Sequence, residues 1–163
     1  MSEYGLSAPE AVKSYFKFAV CRDPLERAFS AFRFVKNGGL TPEDRRWARE
    51  NIPPSMTFGE FVTDVLVKKK FPVRHHFTEQ HKYVEKYAYG PMGIDFVIRF
   101  EQMQASIPML ESVFKRTIDL PNLNAGKPAT ALDGDCSDRL VRTTVFEIYE
   151  RDYWLFSYRA PDI

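Results

Sequence analysis

A chain of 163 residues, 44% hydrophobic and 28% charged, has the composition of one ordinary soluble globular domain with a buried core. Its apolar runs are a few residues long, far short of the roughly 20 a membrane helix needs, and Met1-Ser2-Glu3-Tyr4 opens no charged-then-apolar leader, so neither a membrane segment nor a secretory leader is expected. The formal charge of +1 gives no bulk attraction to nucleic acid or membrane, yet residues 1–82 hold 14 Lys/Arg against 10 Asp/Glu and residues 83–163 hold 9 against 12, which directs the search for an anionic ligand to the N-terminal half.

Phe16-Lys17-Phe18-Ala19-Val20-Cys21 alternates and then runs apolar, with the aromatic and β-branched residues of a buried strand. A helix begins at once. Asp23 suits the N-cap, Pro24 the first helical position, and Glu26 stands three beyond the cap, as in a capping box with Asp as its cap. Leu25, Ala28, Phe29, Phe32 and Val35 fall on one helical face, and Asn37-Gly38-Gly39 ends the run. Residues 40–55 are polar and carry Pro42, Pro53 and Pro54; a lid or excursion with one short helix around Glu43 to Glu50 is expected, and little core. Thr57 and Glu60 repeat the capping-box spacing, and Phe58, Phe61, Val62, Val65 and Leu66 form a stripe ending at Lys68-Lys69-Lys70, a solvated helix end.

Ile94 to Phe100 reads as a second strand, followed by a helical pattern that Pro108 breaks, kinks or restarts, with Ser106 as the cap of a restart. Leu120 through Asp135 is loop by composition. Ser137 is expected to cap the strongest helix, which brings Leu140, Val141, Thr144, Val145, Ile148, Tyr149 and Phe156 near one face. Strands separated by helices give an α/β class with parallel strands, and residues 1–163 read as a single domain.

Chemistry concentrates in Val20-Cys21-Arg22-Asp23-Pro24-Leu25-Glu26-Arg27-Ala28-Phe29-Ser30. A strand that delivers an arginine to a helix start gathers a guanidinium fork, free backbone N–H groups and the positive end of the helix dipole, a combination that favours a phosphate. Ser30, in the second turn, adds a hydroxyl. The alternatives are that Arg22 pairs with a carboxylate and that Ser30 faces a helix neighbour.

Arg22-Asp23-Pro24-x-x-Arg27-x-x-Ser30-x-Phe32 resembles the 3′-phosphate-binding segment of the carbohydrate sulfotransferases of the sulfotransferase-2 type and their bacterial relatives. Later segments follow in the same order. His76-Phe77-Thr78-Glu79-Gln80 is similar to the family's His-aromatic-x-Pro-Gln stretch, with Glu79 in place of the proline. Asp95 to Glu101 is similar to a strand and its acidic residue, Asn124 to an asparagine before the last loop, and Ile148 to Tyr158 to a terminal Tyr-x-x-Asp-aromatic-x-x-Phe-x-Tyr helix. The likeness runs from about Phe16 to Tyr158.

The resemblance implies a P-loop-like three-layer α/β domain with a parallel sheet flanked by helices. It implies a co-substrate, 3′-phosphoadenosine 5′-phosphosulfate (PAPS), no metal, and transfer of the sulfuryl group to a hydroxyl of a carbohydrate or similar acceptor. Arg22 and Ser30 would hold the 3′-phosphate, with Arg22 the larger contribution. Arg27 either braces Asp23 or Glu26 within the turn or approaches the nucleotide. His76 and Glu79 are the catalytic candidates, as a base within reach of the acceptor hydroxyl. Animal relatives sit in the Golgi lumen and bacterial or viral ones in the cytoplasm.

One family element is not found. The family's opening strand and phosphate-cradling loop, roughly Pro-Lys-x-Gly/Ala-Ser/Thr-Ser/Thr, grips the 5′-phosphosulfate, and Met1 to Tyr15 contains no Pro-Lys pair. A first strand-loop-helix unit is therefore expected to be missing, which would expose a sheet edge and promote self-association. The alternative function is a non-catalytic relative that binds a nucleotide or a protein.

The remaining clusters have bland explanations. His75, His76 and His81 with Glu79 lack the usual metal-ligand spacing. Asp133, Asp135 and Asp138 lack the twelve-position calcium pattern. Tyr149, Tyr153, Trp154, Phe156 and Tyr158 suit a helix packing a core. Cys21 and Cys136 are expected to be free thiols.

Overall fold

A computed structural model of the protein describes residues 14–68, 74–88, 93–121 and 134–162. In chain order these form β1 (Phe18–Cys21), α1 (Pro24–Lys36), α2 (Pro42–Asn51), α3 (Phe58–Phe61) continued by a π-helical turn Val62–Leu66, α4 (Arg74–Phe77), α5 (His81–Ala88), β2 (Phe96–Arg99), a 3-10 turn Phe100–Gln102, α6 (Met103–Phe114), α7 (Gly134–Ser137) and α8 (Arg139–Leu155). The expected α/β class with parallel strands is found. The chain divides into two compact units, residues 1–21 with 80–120 and residues 22–79 with 121–163. No helix among the described residues is long and apolar enough to cross a membrane.

The first unit holds the sheet. β1 and β2 pair in parallel, from Phe18 opposite Phe96 to Cys21 opposite Arg99. The pair is fastened at its start, where Lys17 N–H donates to Asp95 Oδ2 at 2.7 Å and Asp95 N–H donates to Lys17 O at 2.8 Å. The strand expected to be wholly buried is not: Cys21 is buried, but Phe18 and Val20 are exposed, because alternate residues face opposite sides of the sheet. Pro108 does not end or restart its helix, and α6 runs through it. Ser106 is accordingly no cap; its Oγ donates to Gln102 O at 3.0 Å, four residues back in the same helix turn.

The second unit is an aromatic helical core. α1 buries Ala28, Phe29, Phe32 and Val35. Phe29 meets Phe58 edge-on with centroids 5.1 Å apart, Phe32 meets Phe61 at 4.9 Å, and Phe61 meets Phe77 at 5.1 Å. The stripe Phe58, Phe61, Val62, Val65 and Leu66 is buried as its spacing requires. Beyond it Lys68 pairs with Asp64 at 3.6 Å, while Lys69 and Lys70 lie outside the described residues.

Residues 40–55 are not a peripheral lid. α2 is a ten-residue helix that buries Trp47 and Ala48, and Ile52 just beyond it is buried as well. A reciprocal capping box starts it: Thr41 Oγ1 accepts from Asp44 N–H at 3.0 Å, and Asp44 Oδ2 accepts from the N–H groups of Thr41 and Leu40 at 3.1 and 3.0 Å. Gly39, at φ +55°, leads into this turn, and a Cβ there would strike the Asp44 side chain, so glycine is required on both counts.

The C-terminal helix begins one residue later than expected. Asp138, not Ser137, is its N-cap and accepts from Val141 N–H at 3.1 Å. Val141, Val145, Tyr149 and Phe156 are buried, whereas Leu140 is exposed. Tyr149 has φ −113° and ψ 21°, so α8 kinks there. Cys21 and Cys136 are buried free thiols. The loop expectation over residues 122–133 and the missing-unit expectation over residues 1–13 fall outside the described residues.

Candidate functional site

The candidate side chains lie on two adjoining pieces of the second unit: the start of α1 and the segment His75–Glu79. At the start of α1, Asp23 Oδ1 accepts from Glu26 N–H at 3.0 Å, as an N-cap should. The reciprocal half of the box is not made. Glu26 turns its carboxylate outward instead, where Oε2 lies 3.2 Å from Arg22 Nη2. Both partners are about 30% exposed (30% and 29%), so this i,i+4 pair is worth only about 0.3–0.5 kcal/mol. The carboxylate alternative for Arg22 is therefore realised, but weakly.

The free amides expected at this helix start are occupied. Pro24 has no N–H, Leu25 N–H bonds the phenol oxygen of Tyr153, Glu26 N–H goes to Asp23 Oδ1, and Arg27 N–H goes to Asp23 O at 2.8 Å. The chain has thus satisfied its own orphan donors. What α1 offers an anion is side chains: the Arg22 guanidinium, and the Ser30 hydroxyl, which is exposed. Glu26 and Ser30, four apart, share one row along α1; Arg22 lies just before the Asp23 cap, outside the helix, and meets that row through its pair with Glu26.

Arg27 does not brace Asp23 or Glu26. Its Nη1 donates to Thr78 O at 2.8 Å and its Nη2 to His75 O at 3.4 Å. The half-buried guanidinium flanks the apolar stripe of α1 and reaches α4, which packs alongside. Tyr149 does the same from α8, with Oη donating to Phe77 O at 2.9 Å. Burial pushes the Tyr149 phenol above its usual range, so it stays a donor. The last carbonyls of a helix lack partners within it, and here those of His75 and Phe77, with that of Thr78 just beyond α4, accept from side chains.

His76 projects toward α2. Its Nε2 lies 3.6 Å from Asp44 Oδ1, and its ring stands 5.1 Å from that of Phe34. Burial of Asp44 by itself would raise its pKa, but the N–H groups of Thr41 and Leu40, then His76 and the Thr41 hydroxyl, outweigh burial and hold the carboxyl below its ordinary range. Glu79 is half-buried and close enough to Tyr149 for its charge to disfavour the phenolate. Among the described residues no three or more His, Cys, Asp or Glu side chains gather as a metal site.

Sequence reasoning missed Asp44 and Asp152 as buried charges. Asp44 stands three after Thr41, a capping-box signal hidden in a segment dismissed as polar. Asp152 is 0% exposed, and its signal was a carboxylate on the buried stripe Val145, Tyr149, Phe156. Tyr149 and Phe156 are core as expected, as is Tyr153, while Trp154 is 64% exposed and donates to Glu150 at 3.4 Å.

A family model described as the sulfotransferase family matches residues 2–159. No curated protein and no solved structure matches the chain. With nearly the whole chain inside the family match, this protein belongs to the sulfotransferase family, sulfotransferase-2 type.

Proposed function

We propose that the chain transfers the sulfuryl group of 3′-phosphoadenosine 5′-phosphosulfate to a hydroxyl acceptor, with a carbohydrate hydroxyl as the first choice. The observation that carries the reading is the Arg22 guanidinium just before the cap of α1, beside Glu26, with the exposed Ser30 hydroxyl one turn beyond Glu26 on the helix. The Glu26 pair does not bar Arg22 from a phosphate, because a charge-assisted hydrogen bond contributes about 1.5–3 kcal/mol against the few tenths of that exposed pair. In this reading Arg22 bonds the 3′-phosphate, Ser30 donates its hydroxyl to the same group, and the dipole of α1 adds to the attraction. The finer fold expectation, a single P-loop-like three-layer domain over residues 1–163, belongs to the same reading.

The chemistry is an in-line displacement. The acceptor oxygen forms a bond to sulfur as the bond from sulfur to the phosphate oxygen breaks, adenosine 3′,5′-bisphosphate departs, and the acceptor proton goes to a base. His76 and Glu79 are the proposed bases, neighbours on one clamped segment. No metal enters this scheme.

Release of adenosine 3′,5′-bisphosphate from the sulfate donor, measured with and without a panel of carbohydrate alcohols, tests the proposal. Acceptor-dependent release is expected. Bound nucleotide with no release across the panel would favour the alternative, a non-catalytic nucleotide- or protein-binding relative. Exposure of Phe18, Val20 and Phe96 on the two strands favours self-association through the sheet, which sedimentation velocity distinguishes from a monomer.

A further inference from the structure

We infer that Arg27 and Tyr149 are positioning residues: from α1 and α8 they fix the His75–Glu79 segment, and so the direction in which its base meets the acceptor. The inference rests on the sulfuryl-transfer reading above. It assigns to Arg27 a role through the protein backbone rather than on the nucleotide.

The geometry is specific to a fork. Arg27 spans two carbonyls three residues apart, His75 O at 3.4 Å and Thr78 O at 2.8 Å, with separate nitrogens, as a planar guanidinium can and a lysine ammonium cannot from one fixed position. Tyr149 takes Phe77 O, at 2.9 Å, between them. α4 has four residues, too short to hold its own shape by intrahelical bonds, so its outline depends on such ties. The side of the segment facing the core is also held: Phe77 is 3% exposed and stands 5.1 Å from Phe61 and 6.3 Å from Trp47. His76, between the His75 carbonyl that Arg27 holds and the Phe77 carbonyl that Tyr149 holds, is directed at Asp44 and Phe34.

Position 27 is about 100° around the helix from position 26, off the row of Glu26 and Ser30. The start of α1 therefore gathers the proposed phosphate ligands, Arg22 before its cap and Ser30 along it, while Arg27 on another face braces the proposed base. An error of about 1 Å in such placement costs on the order of a hundredfold in rate, so the bracing acts on turnover far more than on nucleotide affinity.

The test compares Arg27→Met, Arg27→Lys and Tyr149→Phe with the unaltered full chain by three readouts. In Arg27→Met, amide exchange over residues 76–79 is expected to quicken tenfold or more, while affinity for adenosine 3′,5′-bisphosphate changes less than twofold. With a productive acceptor, kcat falls about tenfold or more at unchanged donor KM, and Arg27→Lys, which can serve one carbonyl, recovers part of it. Tyr149→Phe keeps the ring volume and deletes one bond, so it gives the same pattern more mildly and carries the test if Arg27→Met does not fold.

Bisphosphate affinity lowered tenfold in Arg27→Met with unchanged exchange would make Arg27 a nucleotide ligand and overturn the inference. Unchanged kcat in both folded variants of an active chain would overturn it too, leaving the sulfuryl-transfer reading intact. An unaltered chain that neither binds the bisphosphate nor consumes the donor would instead overturn that reading itself.

Discussion

Asp44 shows how a single side chain serves local structure and the candidate site together. One oxygen closes the capping box of α2 and the other faces His76. Its carboxyl is held below its ordinary range, so the unfolded chain takes up its proton first as pH falls. The stability it contributes is complete above the ordinary carboxyl pKa, about 3.9, and is lost as pH drops through and below it. Asp44→Asn should cost about 1–2 kcal/mol at pH 7 and distinctly less at pH 3, measured by urea unfolding at both. Equal costs would remove the ionised carboxylate from the explanation. The opposite sign holds for Tyr149 and Tyr153, whose phenols burial pushes up. Their stabilisation is complete below about pH 10, the ordinary phenol pKa, and drains as pH rises above it. Thermal melts should be flat in this contribution up to about pH 10 and fall above it, and Tyr149→Phe with Tyr153→Phe should flatten that fall.

At the scale of elements, α2 is the departure with the largest consequence. A segment of ten residues with four arginine or asparagine side chains and three acidic ones has a mean composition that hides two well-placed apolar residues. Burial depends on which residues face inward, and Trp47 at 3% exposed supplies most of the inward face. Trp47→Ala is expected to cost about 3–5 kcal/mol and Thr41→Ala about 1 kcal/mol; a loss under about 1 kcal/mol for Trp47→Ala would return the segment to the periphery. By contrast α1 was legible almost to the residue, because cap, proline, apolar stripe and terminal glycines all point to the same boundaries. The partner of Arg27 was not legible. Helical spacing identifies neighbours within one helix, but no local pattern announces that a guanidinium will reach carbonyls 48 and 51 residues away.

For the whole molecule, the α/β class and the parallel pairing followed from two apolar strands separated by helices, and the order of weak motifs along the chain agrees with the family match over residues 2–159. The motif put Arg22 at the start of the helix and Ser30 in its second turn, whereas tertiary contacts decided which amides were already taken: Tyr153, more than a hundred residues on, occupies the Leu25 N–H. The proposed phosphate site thus rests on the Arg22 guanidinium and not on free backbone amides.

The most direct test of that claim is a titration of the chain and of Arg22→Ala with adenosine 3′,5′-bisphosphate and with adenosine 5′-monophosphate, which differ in the group that Arg22 and Ser30 are proposed to read. A charge-assisted contact of about 1.5–3 kcal/mol corresponds to roughly a tenfold to hundredfold preference for the bisphosphate, expected in the unaltered chain and abolished in Arg22→Ala. Equal affinity of the folded chain for the two nucleotides, or a preference that survives in Arg22→Ala, would contradict it.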